Sequence, residues 1–376
     1  MPASAYLDHN ATSPLRPAAF DAMAEALRAG GNPSSVHKVG RAARATVDRA
    51  RRQVADLVGA LPAEVVFTSG GTEANNMALR GAGRRRLLVS AVEHESVRNA
   101  APNAEVIPVD ADGVVDLAAL ETALAASAEP ALVSVMLANN ETGVMQPIAD
   151  VARLARAAGA LVHCDAVQAA GKMPLSIHGL GVDYLTLAAH KLGGPTGVGA
   201  LVVRAGAPVA ADRKGGAQET NRRAGTENLS GIVGFGAAAT EALRGLDVSA
   251  LRDKLELSLV QIAPQARVYG AGAKRLGNTT FISMPGVSAE TQVMALDLAG
   301  VCISAGSACS SGKVHQSAVL AAMGVPAAEA ATAVRISLGW NTESADIERL
   351  IAAWRDLYIR VEKSDISQAL SQARAA

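Results

Sequence analysis

The fold is decided by the stretch Thr186-Leu-Ala-Ala-His190-Lys191-Leu-Gly-Gly-Pro-Thr-Gly-Val-Gly199, an apolar run that stops at a His-Lys pair. A second strand pattern, residues 200–203, follows the glycines and the proline. This order predicts that Lys191 lies on a turn at the edge of a buried sheet. Loss of water there disfavours the charged form of the lysine, and the neutral amine is a usable nucleophile or base. The alternative interpretation is an ordinary solvated loop lysine.

Strand patterns alternate with alanine-rich helical patterns on both sides of this stretch. Strands are predicted at 65–68, 87–89, 131–137, 160–163 and 184–187, and helices at 17–28, 38–59, 116–126 and 148–158, among others. Such alternation with short turns predicts an α/β fold, a mostly parallel sheet flanked by helices. Past residue 246 the order changes to a helix, strands and further helices. This change indicates a second, smaller α+β domain.

The composition limits the classes of function. The 376 residues carry 35 basic and 35 acidic side chains, so neither nucleic acid nor an anionic membrane is expected as the main partner. Three cysteines favour a reducing compartment over a disulfide framework. The first ten residues have no signal-peptide pattern, and no apolar run reaches the length of a membrane span. We therefore expect a soluble, cytoplasmic protein.

Two polar segments follow predicted strands in the first hundred residues. Ser69-Gly70-Gly71-Thr72 lies between a strand and a helix, where backbone N–H groups and the helix dipole suit a phosphate. Thr72 could equally be a simple helix cap. His94 follows the strand at 87–89, where ligands of open α/β sheets collect, and its ring could stack on a cofactor or move a proton. A surface histidine is the alternative.

Two more polar segments follow the next strands along the chain. Asn140 belongs to Asn-Asn-Glu-Thr-Gly at 139–143, and its amide could hold a phenolic oxygen, although such residues also favour plain turns. Asp165 ends the strand that includes His163, and Gln168 follows it. A carboxylate buried at a strand end needs a positive partner, and a protonated pyridine nitrogen is one.

Three features of the last third of the chain could carry chemistry. The polar loop at 215–228 contains two arginines and Thr226, and it is either an anion-binding segment or a solvated loop. Cys309 lies in a small, glycine-rich polar segment and looks exposed, so it is either a reactive thiol or an idle one. Arg335 lies inside an apolar run, where a guanidinium pairs with a substrate carboxylate or with a structural carboxylate.

Together these segments resemble the cysteine desulfurases, fold-type I pyridoxal-phosphate enzymes of the class V aminotransferase group. The similar stretches are residues 6–12 (YLDHNAT), 31–37 (GNPSSVH), 67–73 (FTSGGTE), 139–144 (NNETGV), 163–168 (HCDAVQ), 190–191 (HK), 215–228, 306–311 (GSACSS) and 335–339 (RISLG). They cover nearly the whole chain in the family's order. The Ser-Ala-Cys segment resembles the iron–sulfur and nitrogen-fixation group of these enzymes.

The resemblance implies a role for each candidate residue. Lys191 would carry pyridoxal 5'-phosphate and move the Cα proton of L-cysteine, and Cys309 would take its sulfur as a persulfide. The ring would contact Asp165 at its nitrogen and His94 on its face. Other cofactor contacts would come from Gly71, Thr72, Asn140, Gln168 and His190, with Thr226 supplied by the second subunit of a homodimer. Asn10, Asn140 and Arg335 would bind the substrate, and no metal is expected.

The resemblance also implies a domain organisation and partners. Residues 15–250 would form the large cofactor-binding domain, and residues 1–14 and 251–376 the small domain carrying the cysteine loop at about 304–315. The sulfur would pass to an iron–sulfur scaffold or another acceptor protein, nitrogenase assembly included, since the tail at 364–376 lacks the ending of housekeeping members. Ala188 replaces a phosphate-binding serine, so one contact to the phosphate is missing or comes from Thr186 or Thr226. Alternatives are a selenocysteine lyase, another class V enzyme, or a cofactor-free thiol carrier.

Overall fold

Strands and helices alternate along the chain. The structure, a computed structural model, describes residues 4–306 and 317–375, with side chains up to residue 361. The strands are β1 (Ala5–Tyr6), β2 (Val65–Thr68), β3 (Arg86–Ser90), β4 (Glu105–Ile107), β5 (Ala131–Ser134), β6 (Leu161–Asp165), β7 (Tyr184–Ala188), β8 (Gly199–Val203), β9 (Thr279–Ser283), β10 (Val301–Cys302) and β11 (Ala333–Ser337). The helices are α1 (Pro17–Ala29), α2 (Lys38–Leu57), α3 (Gly71–Gly81), α4 (Glu95–Arg98), α5 (Leu117–Ala125), α6 (Ile148–Ala157), α7 (Ile177–Leu180), α8 (Leu229–Ala242), α9 (Ser249–Ile262), α10 (Ala289–Leu298), α11 (Ala318–Ala322), α12 (Ala327–Ala330) and α13 (Ser344–Ala375).

The described residues form one large sheet of seven strands in the order β2-β8-β7-β6-β5-β3-β4. Strands β4, β3, β5, β6 and β7 pair in parallel, and β8 pairs antiparallel with both β7 and β2. The sheet is therefore mostly parallel, as the sequence predicts. Strand β2 runs in the same direction as the parallel strands, so the carboxyl ends of six strands meet at one edge.

Both faces of this sheet are buried, because successive side chains of a strand point to opposite faces. On β7, Tyr184 packs into one apolar cluster with residues of α3, while Leu185 packs into another with residues of α2 and α8. On β5, Leu132 and Val133 divide between the same two clusters. Double-sided burial explains why these strands are continuous apolar runs rather than alternating patterns.

The predicted boundaries differ from the structure by a few residues. Helices α5 and α6 and strands β6 and β7 lie within two residues of the predicted ends. Regular pairing of β5 ends at Ser134, whereas the apolar pattern predicts a strand to residue 137. The backbone beyond it still follows β6, since Val135 N–H donates to His163 O (3.1 Å) and Leu137 N–H to Asp165 O (2.9 Å). The difference therefore lies in the assignment of the last residues and not in the path of the chain.

A second apolar core joins the beginning and the end of the chain. It contains Ala5 and Leu7 together with Leu255, Ile282, Val301, Ile336, Leu350 and Trp354. Strand β1 pairs in parallel with β10, and β9 pairs antiparallel with β11. Helix α13 packs along α9 and α10 on this core. The N-terminal segment therefore packs with the C-terminal third of the chain rather than with the residues that follow it directly.

Among the helices of the described ranges, none is long and apolar enough to cross a membrane.

A buried histidine links three strands of the large sheet. His163 is fully buried on β6, with Nδ1 2.8 Å from Ser134 Oγ on β5 and Nε2 3.0 Å from Thr186 Oγ1 on β7. Burial lowers the pKa of His163 to about 4, although Asp165 acts in the opposite direction. The ring is therefore neutral near pH 7, and its hydrogen bonds link β6 to β5 and β7 inside the sheet.

We expect this histidine to make the protein less stable in acid. The unfolded chain binds a proton near the ordinary histidine pKa of about 6.5, so the free energy of unfolding falls as the pH drops from about 6.5 towards 4. His163→Asn lowers the urea midpoint near pH 7, but its midpoint falls less than the wild type's between about pH 7 and pH 5. The control is His178→Asn, whose side chain is 46% exposed. An equal fall for His163→Asn and the wild type would contradict the assignment.

Candidate active site

One cavity of about 380 Å³ lies at the carboxyl edge of the large sheet. Helix α3 begins there after β2, His94 follows β3, Asn140 follows β5, Asp165 ends β6 and Lys191 follows β7. Of the predicted site residues, those that line it are Asn10, Gly71, Thr72, His94, Asn140, Asp165, Gln168, His190, Lys191 and Arg335. Segments that are far apart in sequence are therefore brought together as the parallel topology predicts.

Lys191 lies on a short 3₁₀ turn directly after β7, and its amine contacts the N-terminal segment. Its Nζ donates to Asn10 O at 2.6 Å and to Ala11 O at 2.8 Å. Asn10 is 1% exposed, and its side-chain Nδ2 donates to Asn140 O (3.2 Å) and Thr279 Oγ1 (2.9 Å). The lysine is thus held at the junction between the large sheet and the second core.

A hydrogen-bonded chain connects the predicted ring-nitrogen partner to the predicted ring-stacking residue. Asn75 Nδ2 donates to Asp165 Oδ2 and to Ser96 Oγ, each at 2.8 Å. Ser96 Oγ lies 2.8 Å from His94 Nδ1. Asp165 Oδ1 accepts from Val167 N at 2.9 Å. Both Asp165 and His94 are therefore oriented by neighbours in the same cavity.

The first turn of α3 forms the other end of the cavity. By helix geometry its first N–H groups have no acceptor within the helix. A Cβ at Gly71 would lie 3.0 Å from Val167 Cγ2 and 3.6 Å from Ala188 Cβ, so the backbone approaches the sheet closely there. His190 Nδ1 lies 3.2 Å from Thr12 Oγ1. Burial and then Lys191 lower the pKa of His190 to about 4, so this imidazole is neutral near pH 7.

Thr186 does not replace the serine hydroxyl that Ala188 lacks. Its Oγ1 is bound to His163, and its methyl carbon lies 3.8 Å from the position of a Cβ on Gly71. Ala188 itself lines the cavity. The bond to His163 argues against Thr186 among the alternatives, because its hydroxyl is used within the sheet.

Arg335 lies on β11 and is 2% exposed, yet it lines the cavity. Its Nη2 donates to Asp8 Oδ1 at 2.7 Å and its Nη1 to Asn140 O at 3.1 Å. Its Nε is buried and has no hydrogen-bond partner in the described part of the chain. The sequence left a structural ion pair and a ligand carboxylate as alternatives. The pair with Asp8 is present, and the side chain also lines the cavity.

Three polar residues in or beside this site were not singled out from the sequence: Asn75, Ser96 and Lys172, the last of which contacts Asn10 and Gln168. Glu93 lines the cavity at 4% exposure, and its Oε2 is unpaired among the described residues. Burial and then Asp165 raise the pKa of Glu93 well above its ordinary value, which favours a neutral carboxyl group. A sequence signal existed for Asn75, since it falls on the α3 face that also buries Ala74 and Ala78.

One predicted site residue lies elsewhere: Thr226 is exposed and does not line this cavity. Another, Cys309, lies outside the described residues. In the loop that carries Thr226, Arg223 forms an ion pair with Glu73 at 2.9 Å, and Arg222 donates to Ala63 O at 2.8 Å. Although burial alone would raise it, bonds from Arg223, Ser69 and Arg213 lower the pKa of Glu73 to about 2. The two arginines therefore have structural partners.

Asn75 offers a test of the chain of hydrogen bonds. Asn75→Ala removes the donor to Asp165 Oδ2, and leaving a buried carboxylate oxygen unpaired costs about 1–3 kcal/mol. We expect a clearly lower thermal unfolding midpoint. The matched control is Asn76→Ala, the next residue of α3, which is half-buried and donates to Thr72 O at 2.9 Å. The free energy of unfolding of Asn76→Ala is expected to stay within about 0.5 kcal/mol of the wild type. An equal loss of stability in the two variants would argue against a special role for Asn75.

Comparison with known sequences identifies related proteins along nearly the whole chain. A family model described as aminotransferase class-V matches residues 5–350. A cysteine desulfurase from Cereibacter sphaeroides is 46% identical over 363 residues, which cover 92% of this chain and 93% of that protein. An IscS-like cysteine desulfurase from Mycobacterium tuberculosis is 38% identical, covering 97% of this chain and 99% of that protein.

Comparison with solved structures also identifies related proteins along nearly the whole chain. A NifS-like protein from Rickettsia africae superimposes with a TM-score of 0.88 at 35% sequence identity, covering 94% of this chain and 99% of that one. Sequence and structure thus agree over both the large sheet and the second core. The chain belongs to the aminotransferase class-V family and, within it, to the cysteine desulfurases.

Proposed function

We propose that this protein is a pyridoxal-phosphate-dependent cysteine desulfurase, which converts L-cysteine to L-alanine and leaves the sulfur as a persulfide on Cys309. One observation carries the proposal: a lysine, a buried carboxylate, a histidine and a buried arginine surround one cavity at the carboxyl edge of the sheet. They are Lys191, Asp165, His94 and Arg335. The relatives named cysteine desulfurase support the choice of L-cysteine as substrate.

The residues of the cavity fit pyridoxal 5'-phosphate. Asp165 is 6% exposed, and none of the ion pairs formed by residues 4–306 and 317–361 involves it, so a cationic ring nitrogen would supply the missing partner. The α3 N-terminus, with Gly71 close to the sheet, suits the phosphate. Lys191 provides the amine for a carbonyl group. When bound, this cofactor supplies an electron sink that acidifies the Cα–H bond of an amino acid.

The other residues of the site would bind and orient the two ligands. Thr72 and His190 would contact the phosphate with Gly71, His94 would lie against the ring, and Gln168 and Asn140 would approach its phenolic oxygen. Because the His190 ring is neutral, it offers a hydrogen-bond donor without adding a charge. We further propose that Thr226 completes the phosphate site of a second subunit in a homodimer, in line with its exposed position.

Arg335 and Lys191 would act directly on the amino acid. The guanidinium of Arg335, which lines the cavity, would donate to the substrate carboxylate, while its contacts with Asp8 and Asn140 hold it in place. Lys191 would remove the Cα proton as a base, and Asn10, which accepts from its Nζ, would keep the amine near the substrate. Burial of these groups excludes water and strengthens their electrostatic interactions.

The sulfur transfer balances without an external oxidant. The Cys309 thiolate attacks the sulfur of L-cysteine, a new S–S bond forms, and the Cβ–S bond breaks. The electron pair of that bond stays on carbon, which takes up a proton to give L-alanine. L-cysteine and one enzyme thiol thus become L-alanine and one enzyme persulfide.

The persulfide needs an acceptor. We propose an iron–sulfur scaffold protein or another sulfur-acceptor protein, with nitrogenase assembly as the specialised case, and a cytoplasmic location. The proposed division is a large domain at 15–250 and a small domain at 1–14 and 251–376. Pairing of β1 with β10 and the shared second core support assigning the N-terminal segment to the small domain.

The thiol assignment can be tested with L-cysteine. The purified wild type is expected to release L-alanine and to hold a persulfide on the peptide that contains Cys309, detected by mass spectrometry. Cys309→Ala is expected to keep the yellow colour of the bound cofactor and to lose alanine formation by at least about a hundredfold, because no thiolate receives the sulfur.

Two control variants separate the role of Cys309 from those of another cysteine and of Lys191. Cys302→Ala changes a partly buried thiol of β10 and is expected to keep turnover, while Lys191→Ala is expected to abolish it. Undiminished alanine release by Cys309→Ala would refute the persulfide role. Alanine release with selenocysteine but not with cysteine would favour a selenocysteine lyase, and a colourless wild type would favour a thiol carrier.

The carboxylate contact can be tested separately. Arg335→Lys keeps a positive charge but loses the planar donor fork, so the KM for L-cysteine is expected to rise at least about tenfold with a smaller change in kcat. Asp8→Asn removes the ion-pair partner and leaves the guanidinium, so its KM is expected to stay within about threefold of the wild type. Similar KM values for Arg335→Lys and the wild type would show that Arg335 serves only the pair with Asp8.

A further inference from the structure

Lys172 lies in the turn after β6 and contacts two residues of the proposed site. Its Nζ donates to Asn10 Oδ1 at 2.6 Å and to Gln168 Oε1 at 2.9 Å. We propose that Lys172 is a positioning residue of the desulfurase, which fixes the direction of these two side-chain amides and so places Asn10 and Gln168 around Lys191. The inference rests on the proposed function and concerns a residue outside the predicted site.

Backbone carbonyls determine which way the two amides point. Gln168 Nε2 donates to Asn10 O at 2.9 Å, and Asn10 Nδ2 donates to Asn140 O at 3.2 Å. A carbonyl oxygen can only accept a hydrogen bond, so the amino group of each amide must face it. The amide oxygens of both residues therefore point the other way.

Both amide oxygens meet at the Lys172 amine, which can donate to each. Asn10 is 1% exposed and Gln168 is 5% exposed, so water cannot readily take the place of this donor. Asn10 Oδ1 has a second donor, Asn278 Nδ2, at 3.2 Å. In the described part of the chain, Gln168 Oε1 accepts from Lys172 alone. A buried acceptor without a donor costs more free energy than one ordinary hydrogen bond contributes. Loss of Lys172 would therefore affect Gln168 more than Asn10.

The two amides connect Lys172 to the reactive lysine. Asn10 O accepts from both Lys191 Nζ (2.6 Å) and Gln168 Nε2 (2.9 Å). If the Gln168 amide turned over, its oxygen would face the carbonyl oxygen of Asn10, and the two acceptors would repel each other. Lys172 opposes that rotation because it donates to the amide oxygen of Gln168. Asn10 is therefore bound twice: its side-chain oxygen accepts from Lys172, and its backbone oxygen accepts from Lys191.

The charges around Lys172 argue against a role as an ion-pair anchor. None of the ion pairs formed by residues 4–306 and 317–361 includes it. The charged and titratable groups near it are Lys191, Arg335, Arg16 and His9, and the last two share a small cavity with both lysines. Burial, and then Lys191 and Arg335, lower the pKa of Lys172 well below its ordinary value.

The positioning role does not depend on the charge of Lys172. Its two acceptors are neutral amides, and a neutral amine carries enough N–H groups to donate to both. The local backbone sets the side chain in place: Lys172 N donates to Ala169 O at 3.0 Å, and Gly171 before it has a φ of +75°. A Cβ on Gly171 would lie 2.8 Å from Ala242 Cβ, so this turn packs tightly against α8.

The test is Lys172→Met in the holoenzyme, a change that keeps the length of the side chain and removes the donor. We expect kcat for L-cysteine to fall about tenfold or more while KM changes less than about threefold. We also expect the pH midpoint of the visible absorption band of the bound cofactor to move by about half a unit or more, because the Gln168 amide proposed to approach its phenolic oxygen is no longer held in one direction.

A double-mutant cycle with Gln168→Ala tests whether Lys172 acts through the amide. In the Gln168→Ala background, Lys172→Met is expected to lower kcat by less than about twofold, since the side chain that it orients is already absent. The control is Lys254→Met, an exposed lysine paired with Glu348, which is expected to leave kcat and the absorption midpoint unchanged. Lys172→Gln keeps an N–H donor and is expected to give smaller changes in the same direction, and it replaces Lys172→Met if that variant does not fold.

Wild-type kcat and an unshifted midpoint in Lys172→Met would overturn the inference, as would an equal loss of kcat in the wild-type and Gln168→Ala backgrounds. These outcomes differ from failure of the proposed function. In that case the unaltered protein itself would bind no cofactor or release no alanine from L-cysteine.

Discussion

Parallel pairing of β3, β5, β6 and β7 is the constraint on which the rest of the structure depends. Inside such a sheet each backbone N–H and C=O is used by a neighbouring strand, and both faces are covered by apolar side chains. Polar side chains can therefore reach a ligand mainly where the strands end. The first turn of α3 begins at the same edge. We therefore expect cofactor and substrate to bind at this edge, where β3, β5, β6 and β7 all end and where Lys191 lies.

The same constraint explains what the sequence could predict. His94, Asn140, Asp165 and Lys191 each follow an apolar strand directly, so their common edge could be inferred from the order of elements alone. Ser96 reaches the cavity from a short helical turn, and Lys172 contacts Asn10 and Gln168 from an irregular segment. In such segments the pattern gives no direction for a side chain. The contribution of Asn10 depends on β1 pairing with β10, a contact between the two ends of the chain that local sequence cannot indicate.

Acidic and basic side chains both line the cavity. Asp165 accepts from Asn75 of α3, and burial together with Asp165 favours the neutral form of Glu93. Lys191 and Arg335 contact the N-terminal segment at residues 8–11. A ligand with a cationic ring nitrogen and an anionic carboxylate would complement Asp165 and Arg335.

The contact between Asp8 and Arg335 has a consequence for biosynthesis, since the two residues are 327 positions apart. A ribosome delivers the N-terminal residues first and the strands β10 and β11 near the end. Until then, the segment that carries Asn10 lacks the surface against which it packs. The large sheet can form while translation continues, but the contacts of the segment at residues 8–11 are complete only after β10 and β11 have emerged. The candidate site is thus assembled from segments that the ribosome delivers at widely separated times.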